Sequence, residues 1–116
     1  MKKLSDFEFY IMNIIWKKEK VTSFDILDIV EKDKKYSGNA VRTILSRMVQ
    51  KKLIYVSNKC GKTYVYRALI NKEEYILYET EYFLKVIYED NIWLCLKNLF
   101  YGKKIIEENK NYKKLY

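Results

Sequence analysis

Asn39, Arg42, Thr43, Ser46 and Arg47 recur at three- and four-residue intervals within GNAVRTILSRMVQ, so a helix sets them along one face. They are hydrogen-bond donors that carry two positive charges and no carboxylate. Arginine presents paired donors that match a guanine edge or a phosphate, and Asn, Ser and Thr reach base edges or phosphate oxygens. On this reading Arg47 suits direct readout, with Asn39, Thr43 and Ser46 beside it. Arg42 and Lys51 suit phosphates, while Lys59, Lys62 and Tyr64, in a second basic patch, suit the backbone or minor groove of a duplex. A plainer requirement gives the same pattern, because any solvated helix face has to be polar.

The charge around these residues is one-sided. From Lys34 to Lys72 the chain carries ten Lys and Arg and no Asp or Glu. Residues 1–70 hold 15 Lys+Arg against 7 Asp+Glu, whereas residues 71–116 hold 8 against 8, so the whole net charge of +8 resides in the first part. A basic head joined to a balanced tail is the asymmetry expected when one module meets nucleic acid and the other meets protein.

Other chemistry is poorly provided for. The chain has no histidine, no glycine-rich phosphate loop and no Ser/His or Cys/His pair, which argues against an enzyme. Cys60 and Cys95 lack the spacing of a zinc site or a disulfide framework and read as reduced thiols of a cytoplasmic protein, with no metal and no cofactor. Acidic residues in MKKLSDFEFY interrupt the apolar run of a signal peptide, and Ile92 to Leu96 is too short to insert into a membrane. At 49% hydrophobic residues, 116 residues suffice for one compact domain with an appendage.

The basic face must be carried by elements whose caps and apolar stripes are written along the chain. Ser5 with Glu8 forms a capping box before Phe9, Met12, Ile15 and Trp16, a helical stripe. Val21 stands alone in the connector, and Thr22 with Asp25 caps a second helix whose core stripe reads Phe24, Leu27 and Val30, widened by Ile26. Ser37 caps a third helix to about Lys51, with Val41, Ile44, Leu45 and Met48 inward and the Asn39 to Arg47 set outward. Leu53 to Ser57 and Thr63 to Ala68 read as strands joined by a loop from Asn58 to Lys62. Asn71 with Glu74 caps a fourth helix to about Tyr88. A fifth follows from Asn91 to Tyr101, and a final turn or two from Glu107.

Three helices followed by a two-stranded ribbon is the order of a winged helix-turn-helix. The predicted fold is therefore mostly α with a small β-hairpin: a winged helix-turn-helix at residues 1–70 and a C-terminal helical dimerisation region at residues 71–116. The fifth helix is apolar almost all round, so a second copy is expected to cover Tyr82, Phe83, Ile92, Trp93, Leu96, Leu99 and Phe100.

The blocks LSDFEFYIMNIIW, YSGNAVRTILSRMVQKKLI and KTYVYRALINKEEY, in this order, resemble the penicillinase-repressor family of BlaI and MecI type over nearly the whole chain. The resemblance implies a homodimeric repressor on an inverted-repeat operator in double-stranded DNA, in front of β-lactamase or related resistance genes. It also implies inactivation by a membrane sensor protease at an Asn-Phe bond in the dimerisation region. Asn98 and Leu99 stand at that place, so the Asn matches and the Phe does not; Leu99 also fits as a plain core residue of the fifth helix. Gly38 replaces a proline that members often have near the start of the third helix, which leaves that start looser. The paired-cysteine motif of copper-responsive members is missing. Two other functions stay open on the residues alone: a module whose basic face meets an acidic protein, and a small-molecule sensor with a pocket between head and tail.

Overall fold

The computed structural model describes residues 2–60, 63–102, 104 and 108. Helix α1 spans Asp6–Lys18, strand β1 Val21–Thr22, α2 Ser23–Asp33, α3 Gly38–Gln50, β2 Ile54–Cys60, β3 Thr63–Ala68, α4 Lys72–Tyr88 and α5 Ile92–Lys97. A π-helical segment, Asn98–Gly102, continues from α5. The architecture is a winged helix-turn-helix followed by C-terminal helices.

Each helix of the head starts where a side chain replaces the missing backbone partner. The Ser5 hydroxyl accepts from Glu8 N–H and the Glu8 carboxylate accepts from Ser5 N–H; Thr22 and Asp25 do the same for α2. Ser37 Oγ accepts from Ala40 N–H at 3.1 Å, which fixes the start of α3 despite Gly38. At α4 the Asn71 side-chain oxygen accepts from Glu73 and Glu74 N–H.

The ribbon is longer than its sequence suggests, and it has a third strand. Pairing of β2 with β3 extends to Cys60 opposite Thr63, with an irregularity at Ser57, between Val56 and Asn58. Asn58, Lys59 and Cys60, expected in a loop, are strand residues, because ladder hydrogen bonds need only backbone. Val21, expected in a connector, pairs with Tyr66 in the strand order β1-β3-β2. Strand β3 is thereby central, and its successive residues Val65 and Tyr66, which point to opposite faces, are both buried.

The core of the head is Ile11, Met12, Ile15, Val21, Ile26, Val30, Val41, Met48 and Ile54, all fully enclosed. Burying side chains of this size stabilises by about 1.5–3 kcal/mol each before conformational entropy is counted. Of the expected core positions, Trp16, Leu27 and Ile44 are half-buried and two are exposed. Phe24 is 67% exposed, because Ile26 and Val30 define the inward line of α2 and Phe24 lies about 200° around the axis from Ile26. Phe9 is partly exposed, and its ring lies against Trp16 and Tyr75.

The chain divides into two compact units, the first ending at Tyr75 and the second starting at Ile76. Charge and capping pattern alone put this division at residue 70. The head reaches further because Tyr75 is buried in it. The Tyr75 hydroxyl accepts from Leu4 N–H at 2.8 Å, and Trp16 Nε1–H donates to the Ile70 carbonyl at 3.0 Å. The expected final turn from Glu107 lies, apart from Glu108, outside the described residues.

Candidate nucleic-acid interface

Helix α3 turns Val41, Leu45 and Met48 into the core and leaves Asn39, Arg42, Thr43, Ser46 and Arg47 exposed. The first turn of α3 holds no acidic residue, so nothing on it repels an anion from the helix N-terminus. Thr43 Oγ1–H donates to the Asn39 carbonyl one turn back, at 3.1 Å. Its hydroxyl proton is thus occupied, and what Thr43 offers outward is a methyl group and acceptor lone pairs. Gln50, four residues after Ser46, is exposed on the same arc, and its spacing is the one sign of this in the sequence.

The wing stands next to this face. Ser23, Phe24 and Leu27 of α2, Arg42, Ser46, Val49 and Gln50 of α3, and Val56, Tyr64 and Tyr66 of the ribbon surround one cleft of about 540 Å³. Tyr64 lies at its wing side, exposed, with its ring edge-on to that of Tyr66 at 6.3 Å. Lys59 Nζ sits 5.3 Å from the Tyr64 ring centroid, a cation–π contact that holds the lysine beside the cleft. Burial, and then the neighbouring Tyr64, raise the Tyr66 phenol above its ordinary pKa, so it stays neutral. The basic helix and the basic ribbon therefore meet along one rim. Lys62 lies outside the described residues.

Lys51 is placed differently from the others. Its Nζ lies 2.9 Å from Glu8 Oε2, so the charge assigned to a phosphate from sequence is engaged with a carboxylate of α1. Glu8 is 4% exposed. Burial pushes its carboxyl pKa up, but the Ser5 N–H, Lys51 and the Ser5 hydroxyl outweigh that, and the net result lies below the usual carboxylate value. The pair ties the end of α3 to the start of α1.

In the second unit Tyr82, Phe83, Ile92, Trp93, Leu99 and Phe100 are exposed and Leu96 is half-buried; Trp93 reaches 77% and Phe100 76%. Cys95 is the sole buried residue of this unit among those described. The π-helical segment begins at Asn98, whose Nδ2 donates to the Tyr88 hydroxyl at 3.2 Å, and Leu99 is 68% exposed. Leu99 is not a core residue of the single chain.

Comparison with known proteins bears on both units. The sequence profile of the penicillinase repressor family matches residues 4–112. The chain belongs to the penicillinase-repressor family. It is 27% identical over 122 residues to the penicillinase repressor of Bacillus licheniformis, covering 96% of this chain and 94% of that protein. It is 26% identical over 86 residues to the methicillin resistance regulatory protein MecI of Staphylococcus aureus strain N315, covering 74% and 69%. The solution structure of the DNA-binding domain of the repressor BlaI aligns with a TM-score of 0.56 and 27% identity, covering 65% of this chain and 94% of that domain. Penicillinase repressors are regulators and not enzymes, and in this member of the family the head has the fold of that DNA-binding domain. No helix among the described residues of this chain is long and apolar enough to cross a membrane.

Proposed function

We propose that this chain is a transcriptional repressor that binds an inverted-repeat operator in duplex DNA as a homodimer, in the cytoplasm, and controls β-lactamase or related resistance genes. The observation that carries this reading is the shared rim: Arg42 and Ser46 of α3 and Tyr64 of the wing line one cleft, with Lys59 beside it and no carboxylate among its lining residues. Helix α3 enters the major groove, with Arg47, Asn39 and Ser46 toward base edges and Thr43 offering its methyl to a thymine. Arg42 and Lys59 neutralise phosphate, and Lys62, by its place in the sequence, joins them. Lys51 acts through Glu8, positioning α3.

The uncovered apolar side chains of the second unit support self-association, since a patch of Ile92, Trp93, Leu99 and Phe100 is costly to leave in water. Two heads held in this way read half-sites about 34–36 Å apart, or a multiple of that distance. A membrane sensor protease ends repression by cutting between Asn98 and Leu99. The exposure of Leu99 and the π-helical distortion that starts at Asn98 support this position.

Footprinting of the purified chain on promoter DNA, with a salt titration, tests the reading. The expected result is two protected half-sites related by a twofold axis, and a log affinity that falls linearly and steeply with log salt. Protection of a single half-site, or a salt-independent affinity, would remove the dimeric operator complex.

A further inference from the structure

The cleft beside α3 has walls that a phosphate backbone does not need. Its volume of about 540 Å³ lies in the range of small-ligand sites, roughly 300–1,000 Å³. Phe24, Leu27, Val49, Val56 and Tyr66 give it an aromatic and aliphatic lining, and Phe24, Val49 and Val56 remain 67%, 36% and 38% exposed. Arg42 is the one charged residue in that lining, and it forms no hydrogen bond or ion pair among the described residues. Ser23, Ser46 and Gln50 supply neutral polar groups at the edge. A hydrated phosphodiester would satisfy Arg42 and leave Phe24 and Val49 against water or charge. An apolar ring carrying one anionic group satisfies both.

We propose that this cleft binds a small aromatic carboxylate, with the ring among Phe24, Leu27, Val49 and Val56 and the carboxylate on the Arg42 guanidinium, and that its occupation competes with duplex DNA. Planar paired donors on arginine suit a carboxylate. Competition follows from Arg42, which cannot neutralise a phosphate and a bound carboxylate at once, and reciprocity then requires DNA to weaken the ligand as the ligand weakens DNA. This second half rests on the DNA reading above; the binding site itself does not.

The test uses 2-naphthoate and its neutral counterpart 2-naphthalenemethanol as probes on the full ¹⁵N-labelled chain. Naphthoate is expected to give saturable amide shifts at Phe24, Leu27, Val49 and Val56 and to bind about tenfold tighter than the alcohol. Arg42→Gln should abolish that preference, and Phe24→Ala should weaken both probes. Shifts confined to Ile76–Tyr101, no saturation, or equal affinity for the two probes would overturn the site. In parallel, naphthoate should release a labelled random-sequence duplex at low salt. Saturation of the cleft with unchanged duplex affinity would overturn the competition. If the chain binds no duplex at all, the proposed function fails while the amide shifts still decide the site.

Discussion

Through Tyr75 the chain buries fifteen apolar side chains, whereas from Ile76 onward Cys95 alone is buried among the described residues. The head encloses its hydrophobic groups and exposes its cations. In the second unit Ile76, Leu77, Val86, Ile87, Trp93, Leu99 and Phe100 are exposed, and leaving such side chains in water is costly. Similar apolar content is enclosed in the first unit and left exposed among the described residues of the second.

Removing residues 76–116 would strain this comparison most. The head should stay folded and become monomeric, and affinity for a two-half-site operator should fall by about 10²–10⁴-fold, because the second head is no longer tethered. Sedimentation and gel-shift titration would check it; a truncated chain that stayed dimeric would move the interface into the head. Next in size is a paired substitution. Ile15→Ala, at a fully enclosed position, should destabilise the head by about 2–5 kcal/mol in urea unfolding. Ile87→Ala, at a residue 62% exposed, should leave head unfolding unchanged and weaken association.

On the exposed face, Arg47→Ala should cost about 1–3 kcal/mol on operator and much less on random duplex. Equal losses on both DNAs would reassign Arg47 to phosphate. Glu8→Gln should cost about 1–2 kcal/mol, since the carboxylate is buried but its partner Lys51 is 59% exposed. The pH profile carries the sign. Because the folded Glu8 lies below its ordinary pKa, its contribution is present above the ordinary carboxylate range and is lost as pH falls through the lowered value. The Gln variant should therefore lose less stability on acidification than the parent. Smallest, Gly38→Ala should stabilise by about 0.4–1 kcal/mol, because an added Cβ meets only Leu27 Cδ2 at an ordinary 3.6 Å and the unfolded chain loses freedom.

The exposed set on α3 was legible because a helix converts three- and four-residue spacing directly into a face, and its charges needed no partner to be recognised. Phe24 and Lys51 were not legible in the same way. Periodicity assigned Phe24 to the core, but which arc of α2 points inward was set by Ile26 and Val30 meeting the rest of the head. Composition made Lys51 one more cation, and its distance of 2.9 Å from Glu8, 43 residues earlier, exists only once α1 and α3 are placed. The cleft has the same origin: its walls come from α2, α3 and the ribbon, and no single segment announces it.

The amino-acid order by itself determined the helix starts, through Ser5, Thr22, Ser37 and Asn71, and the separation of a basic head from a neutral tail. Caps and charge act over a few residues or simply add up, so a linear reading captures them. Tertiary structure alone decided that Val21 became a strand, that Tyr75 belonged to the head and that Arg42 came to line an apolar cleft. Each depends on which surfaces bury each other, and that is a choice among distant partners made by packing.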